Sequence, residues 1–248
     1  MEKYLFIKKT NRISENGTKL LCAAMLLMVF GLTVNAQNPT KEELYPTDGY
    51  RSFRKAPEFA VTIDFEHIDF NRLNEVIFHL TNEIRVENKL RPLQYSYELE
   101  RAAVMHANDM VADGFFSHIN SRDVAKSTPN DRAKLCQISN PFLAENIIEG
   151  FGLQYKANET VYLRGRGMFS KTPRGELIKP HTYLSLGEVL LDGWMNSREH
   201  RKNILSKDAL QLGCGTAFFT SSDFNDMPTF YAVQNFQWYH PVIVAKNE

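Results

Sequence analysis

The chain has 248 residues, and its 29 Lys and Arg balance 29 Asp and Glu. That neutrality argues against nucleic acid or an anionic membrane surface as a partner, because both call for a clear cationic excess. The length allows one domain with a sizeable core, or a domain with a tail.

The first 19 residues hold Lys3, Lys8, Lys9, Arg12 and Lys19 against Glu2 and Glu15, and an apolar run follows from Leu20 to Val34. Val34-Asn35-Ala36 then offers small residues at the two positions a signal peptidase reads. A basic region, an apolar core and a small-x-small site, in that order, make residues 1–36 a signal peptide. The mature chain is therefore expected outside the cytoplasm: in a periplasm, at a surface or in the medium. The apolar run falls short of the ~20 residues that span a bilayer, so no integral span is expected in the mature chain. An uncleaved anchor and lipidation at Cys22 are the alternatives. The apolar core follows Cys22 rather than preceding it, which argues against lipidation.

Residues 1–36 take five cations and two anions with them, so the remainder carries a net charge near −3. Cys136 and Cys214 stay behind and would meet an oxidising compartment, either as one disulfide or as two buried thiols.

Residues 37–69 lack sustained periodicity and contain Pro39, Pro46, Gly49 and Pro57, which predicts an extended leader. The pattern changes after Phe70. Leu73, Ile77, Leu80 and Ile84 recur at steps of four, three and four, the spacing of one helix face. Asn71 is the predicted cap, and Arg91-Pro92 closes the segment. A second helix is predicted from a Ser96 cap to Gly114. Its face of Leu99, Ala102, Ala103, Ala107 and Met110 is small enough to let another element approach closely. His106 lies on or beside that face and reads as a structural histidine. Gly114-Phe-Phe-Ser-His118 turns into a polar loop, and residues 119–143 read as irregular.

Residues 150–183 form an excursion rich in Gly and Pro that carries Arg164, Arg166, Lys171, Arg174 and Lys179. It reads as a solvated basic loop, with a contact surface as the alternative. Ser185-x-x-Glu188 has the form of a capping box, and Leu186, Val189, Leu190 and Trp194 give the following helix its apolar face to about Asn196. Residues 212–219 and 229–236 read as two strands joined by the turn-rich stretch 220–228. Helices first and strands later predict an α+β fold with a mostly antiparallel sheet.

The sequence holds no phosphate-binding glycine loop, no Gly-x-Ser-x-Gly elbow and no His-Glu-x-x-His. Asn196-Ser-Arg-Glu-His200 is an inverted zinc-peptidase motif with asparagine where the first histidine belongs, so that reading fails. Three segments pair a polar group with a turn or a helix end: Phe116-Ser-His118, Ala144-Glu-Asn146 and Trp194-x-x-Ser197-x-x-His200.

In this order those segments resemble the CAP superfamily of cysteine-rich secretory, antigen 5 and pathogenesis-related proteins, and most of all its bacterial secreted branch, the SCP domains. The resemblance covers about residues 70–240. It is carried by Leu90-Arg-Pro-Leu93, Leu99-x-x-Ala102-Ala103-x-x-His106-Ala107-x-x-Met110 and Gly114-Phe-Phe-Ser-His118. It continues through Ala144-Glu-Asn-Ile147, Trp194-Met-Asn-Ser-Arg-Glu-His-Arg-Lys-Asn-Ile-Leu205, Leu212-Gly-Cys-Gly215 and Tyr231-Ala-Val-Gln-Asn-Phe236. The resemblance implies a three-layer α-β-α sandwich and a cleft lined by two histidines and two acids. Three of those four carry over as His118, Glu145 and His200. The fourth position holds Ser197, and helical spacing turns the nearby Glu199 some 200° away from it.

Two imidazoles and a carboxylate suit Zn²⁺ with an open position, so His118, Glu145 and His200 are the candidate metal ligands. The same three side chains could instead bond one another and stitch loops to a helix. Ser197, His200 and Glu145 can also be written as a nucleophile–base–orienter set. The expected function is a non-enzymatic extracellular module whose cleft takes a divalent cation, and with it a lipid or another envelope ligand. A metal-assisted or serine hydrolase, and an interaction protein using the 150–183 loop, are the alternatives.

Overall fold

The computed structural model of the protein describes residues 45–46 and 48–238, so the expected signal peptide lies outside the described residues. Helix α1 runs Phe70–Glu87 and is capped by Asp69, whose carboxylate accepts from Arg72 N. The cap is expected at Asn71, but Asp69, two residues earlier, takes that role, and Asn71 falls inside the helix. Strand β1, Gln94–Tyr95, leads into helix α2, Tyr97–Asp113. There Ser96 caps the start and Gly114, at φ +63°, ends the helix in the left-handed conformation, both as the sequence predicts. A short helix α3, Pro129–Leu135, interrupts the stretch read as irregular. It is nucleated by reciprocal bonds between Thr128 and Asp131, with proline in its first turn.

Strand β2, Leu143–Phe151, is followed by a small hairpin within the excursion: β3, Tyr162–Gly165, and β4, Met168–Ser170. Helix α4, Tyr183–Asn196, starts three residues before the predicted box. Thr182 is the cap and exchanges bonds with Ser185. Glu188 instead reaches out to Arg54. Helix α5, Arg198–Ile204, follows directly. Strands β5, Gln211–Ser221, and β6, Met227–Gln237, form the predicted hairpin.

The main sheet has the order β1-β5-β6-β2, with β1 parallel to β5 and the other pairs antiparallel. Side chains alternate along β5. Leu212 and Cys214 enter one core with Leu73, Ile77, Leu190 and Trp194 from α1 and α4. Gly213 and Gly215 face α2 so closely that an added Cβ would lie 2.1 Å from Glu100 N and 2.2 Å from Val104 N. On that second face Ala103, Ala107 and Met110 of α2 pack against Ile147, Ala217 and Val233. Helices thus cover both faces of a mostly antiparallel sheet, the expected α-β-α sandwich.

The stretch read as an extended leader contributes to the first core. Tyr45, Phe53, Phe59 and Ile63 are buried there, Phe53 and Phe59 on short 3₁₀ turns. Cys136 and Cys214 are both buried and unpaired. Among the described residues no helix is long and apolar enough to cross a membrane.

Candidate functional site

The site is built on two consecutive residues of β2. Strand alternation sends Glu145 to the α2 face and Asn146 to the opposite face. Glu145 is buried, with its side chain 1% exposed, and both of its oxygens are engaged. Oε1 accepts from His118 Nδ1 at 2.9 Å, and Oε2 accepts from Arg132 Nη2 at 2.8 Å. Asn235 on β6 adds a third donor to the carboxylate, 3.3 Å from Oε2, when its amide is turned so that its oxygen accepts from Ala103 N.

Arg132 comes from α3 and is fully buried. Its Nη1 donates to Lys126 O at 2.8 Å and to Ser127 O at 3.3 Å, and its Nη2 also donates to His118 O at 3.1 Å. One guanidinium therefore pins both ends of the loop that carries His118. His106 on α2 pins the start of that loop as well, through a 2.9 Å contact between Nε2 and Ser117 O. It lies 3.7 Å from Glu145 Oε1. Burial pushes the His106 pKa down, with the Glu145 carboxylate opposing that shift. Its Nδ1 is buried without a partner. His106 is structural, as expected, but it belongs to the same buried cluster as the cleft carboxylate.

On the other face Asn146 Nδ2 donates to His200 O at 3.2 Å and to Gln234 Oε1 at 3.1 Å. Asn146 Oδ1 accepts from Asn203 Nδ2 at 2.8 Å. Asn146 thereby holds α5 to the edge of the sheet, just as Glu145 holds the His118 loop. The two histidines stand on opposite sides of one strand edge. Burial lowers the His200 pKa, and the nearby His118 lowers it further. His118 is 46% exposed at the side chain, the open member of the cluster.

The three expected ligands are thus unequal. Among the described residues no group of three His, Cys, Asp or Glu side chains is placed to hold a metal ion. Glu145 does not fit as a direct ligand while His118 and Arg132 occupy its two oxygens. The imidazoles fit better. A His118 ring that donates Nδ1–H to a carboxylate keeps its lone pair on Nε2, the usual support of a metal-binding histidine. Ser197 sits at the junction of α4 and α5 and makes no side-chain cap bond. Among the described residues no hydrogen bond or ion pair joins Ser197, His200 and Glu145, so a nucleophile–base–orienter set is not assembled.

Arg132, Asn146 and Asn235 are the site residues that the sequence reading did not single out. Asn146 and Asn235 stand inside the motifs Ala144-Glu-Asn-Ile147 and Tyr231-Ala-Val-Gln-Asn-Phe236, where a polar residue inside an apolar strand was the available clue. Arg132 had only the Thr128-Pro-Asn-Asp131 box ahead of it.

Residues 78–236, more than half of the chain, match the profile of the Cysteine-rich secretory protein family. A Bacillus subtilis protein described as uncharacterized, YkwD, is 27% identical over 139 residues, which is 56% of this chain and 40% of that protein. An uncharacterized B. subtilis membrane protein, YlbC, is 25% identical over 139 residues, 56% of this chain and 30% of its own length. The chain therefore spans less than half the length of these two relatives. A crystal structure of an extracellular protein containing an SCP domain, from Bacillus anthracis, superposes with a TM-score of 0.46 at 25% identity. That match covers 68% of this chain and 41% of the other.

Proposed function

The chain belongs to the cysteine-rich secretory protein (CAP) family, and from that premise we propose that it acts outside the cytoplasm as a non-enzymatic binding module. In this reading its cleft takes a divalent cation, Zn²⁺ by the chemistry of the donors, through His118 and His200. Glu145 orients His118 from behind. The observation that carries the reading is the chain Arg132–Glu145–His118. A buried guanidinium fixes a buried carboxylate, and the carboxylate fixes the imidazole with Nε2 free. The depressed pKa of His200 supports it, since only a neutral imidazole can ligate. Bound metal would supply a positive centre for an anionic or carbonyl-bearing envelope ligand. The signal-peptide pattern of residues 1–36 supports the location.

Isothermal titration of Zn²⁺ into the purified, metal-stripped protein at pH 7.5 tests this reading. Binding at micromolar Kd or tighter is expected, lost in His118→Ala/His200→Ala and weakened in Glu145→Gln. Wild type and double variant giving the same absent heat, at equal stability, would sink the cation reading.

A further inference from the structure

The open edge of β2 carries a second, independent site. β2 is the last strand of its sheet, so among the described residues one of its edges has no neighbouring strand. Gly152 N donates to Pro228 O, one step beyond the last pair, Phe151 with Thr229. That bond fixes the alternation of the antiparallel ladder. Even-numbered residues turn N–H and C=O toward β6, and odd-numbered residues turn theirs outward. Glu149 and Phe151 therefore present backbone donors and acceptors along the free edge, whereas Glu145 and Ile147, which turn the same way, are buried. Among the described residues no hydrogen bond reaches these outward backbone groups.

Beside this edge lies a cavity of about 540 Å³. Its wall includes four consecutive β2 residues, 148–151, together with Val189 and Gly193 of α4. Consecutive residues can line one cavity because the strand offers its edge rather than a face. Val189 is an exposed apolar side chain here. Lys156 and Lys171 of the excursion complete the rim. Among the described residues Lys171 pairs with the exposed Glu159 at 3.5 Å, a contact too solvated to hold it strongly.

A ligand here must fill an apolar space and also satisfy a line of backbone groups at the repeat of a strand. A hydrocarbon chain meets the first demand and leaves the N–H and C=O groups buried without partners. An extended peptide meets both, because its main chain pairs with the edge while alternate side chains point into the cavity. The geometry points to a docking site for an extended peptide along residues 148–151, with an apolar residue in the cavity and an acidic neighbour at Lys156 and Lys171. The site does not depend on whether the cleft takes a cation.

The test pans a heptapeptide display library on the purified protein and synthesises the enriched sequence. The expected peptide has one apolar residue next to Asp or Glu. On binding, it should slow hydrogen exchange at the amides of Glu149 and Phe151 at least tenfold. Glu149→Pro deletes one outward N–H and leaves the ladder to β6 intact, so it should weaken binding at least tenfold. Glu149→Ala should not. Val189→Asp should also weaken binding, while His118→Ala/His200→Ala should leave it unchanged and so separate this site from the cation cleft. If Glu149→Pro fails to fold, N-methylation of alternate amides in the peptide makes the same test. An unenriched library, or peptides that bind Glu149→Pro as tightly as wild type, would overturn the proposal. So would a fluorescent fatty acid that loses binding in Val189→Asp but not in Glu149→Pro, since that result assigns the cavity to a lipid chain.

Discussion

Replacing Arg132 by methionine tests the argument for the cleft at its base. The guanidinium serves four acceptors: the carbonyls of His118, Lys126 and Ser127, and Glu145 Oε2. Arg132 and Glu145 are both essentially excluded from solvent. Methionine fills much of the volume but leaves a buried carboxylate oxygen and three carbonyls without their donor. Removing one partner of a buried ion pair costs about 3–5 kcal/mol. Glu145→Leu alone should be comparably severe, because it leaves a buried cation. The double variant Arg132→Met/Glu145→Leu removes both charges and should cost well under the sum of the singles. Urea unfolding at pH 7, with matched m-values, reads all three. A loss below about 1 kcal/mol for Arg132→Met, or singles that add to the double within about 0.5 kcal/mol, would refute the claim that this pair is one buried unit.

Gly213→Ala should destabilise by about 3 kcal/mol or more, because its Cβ would lie within 2.1–2.6 Å of Leu99 and Glu100 in α2, mostly against backbone that cannot move aside; thermal unfolding compared with Gly165→Ala, which meets only the flexible tip of Met168, checks this. Thr182→Ala removes the acceptor for Ser185 N and should cost about 1 kcal/mol, read from the same melts. His106, His181 and His200 all have pKa values lowered by burial. The unfolded chain therefore takes up protons first, and stability that is full above about pH 6.5 is lost as pH falls below it, levelling off beneath the depressed native values. Unfolding free energies from pH 8 to pH 5 should fall at up to about 1.4 kcal/mol per pH unit for each histidine, and His106→Gln should flatten the slope.

Much of this fold was legible because its chemistry is local. Ser96 and Gly114 bound a helix whose small face is required by Gly213 and Gly215. The hairpin of β5 and β6 announced itself by two apolar runs around a turn. The errors also have local causes. A serine at a helix start resembles a cap whether it is the cap or the third residue after one, and Ser185 is the latter. The helix α3 is seven residues long, too short for periodicity to show. The leader lacks a repeating pattern, yet it buries Phe53 and Phe59, because 3₁₀ turns bury single aromatics rather than a face. Of the site, His118, Glu145 and His200 could be found from residue order. Arg132 could not, since its role depends on a loop bringing α3 to a strand that starts eight residues after that helix ends.

The electrostatics of the cleft follow from that missed residue together with Ser197. The family pattern implies two acids beside two histidines, an arrangement that would draw a dication strongly. This chain keeps one of those acids and sets a guanidinium 2.8 Å from it. Most of the attraction between Glu145 and an incoming cation would be spent inside the protein, so in the proposed site ligation would fall to the imidazoles. Two neutral imidazoles would leave a dication's charge intact, which is the positive centre that the proposed recognition of an anionic or carbonyl-bearing ligand needs. β2 runs from this pocket to the apolar cavity, whose wall begins three residues on, about 10 Å away at the rise of a strand. A strand edge used for pairing has to stay unblocked. The buried Arg132–Glu145 pair draws the His118 loop inward on one face and Asn146 draws α5 inward on the other, so β2 is covered at residues 145–147 and its edge opens at Glu149.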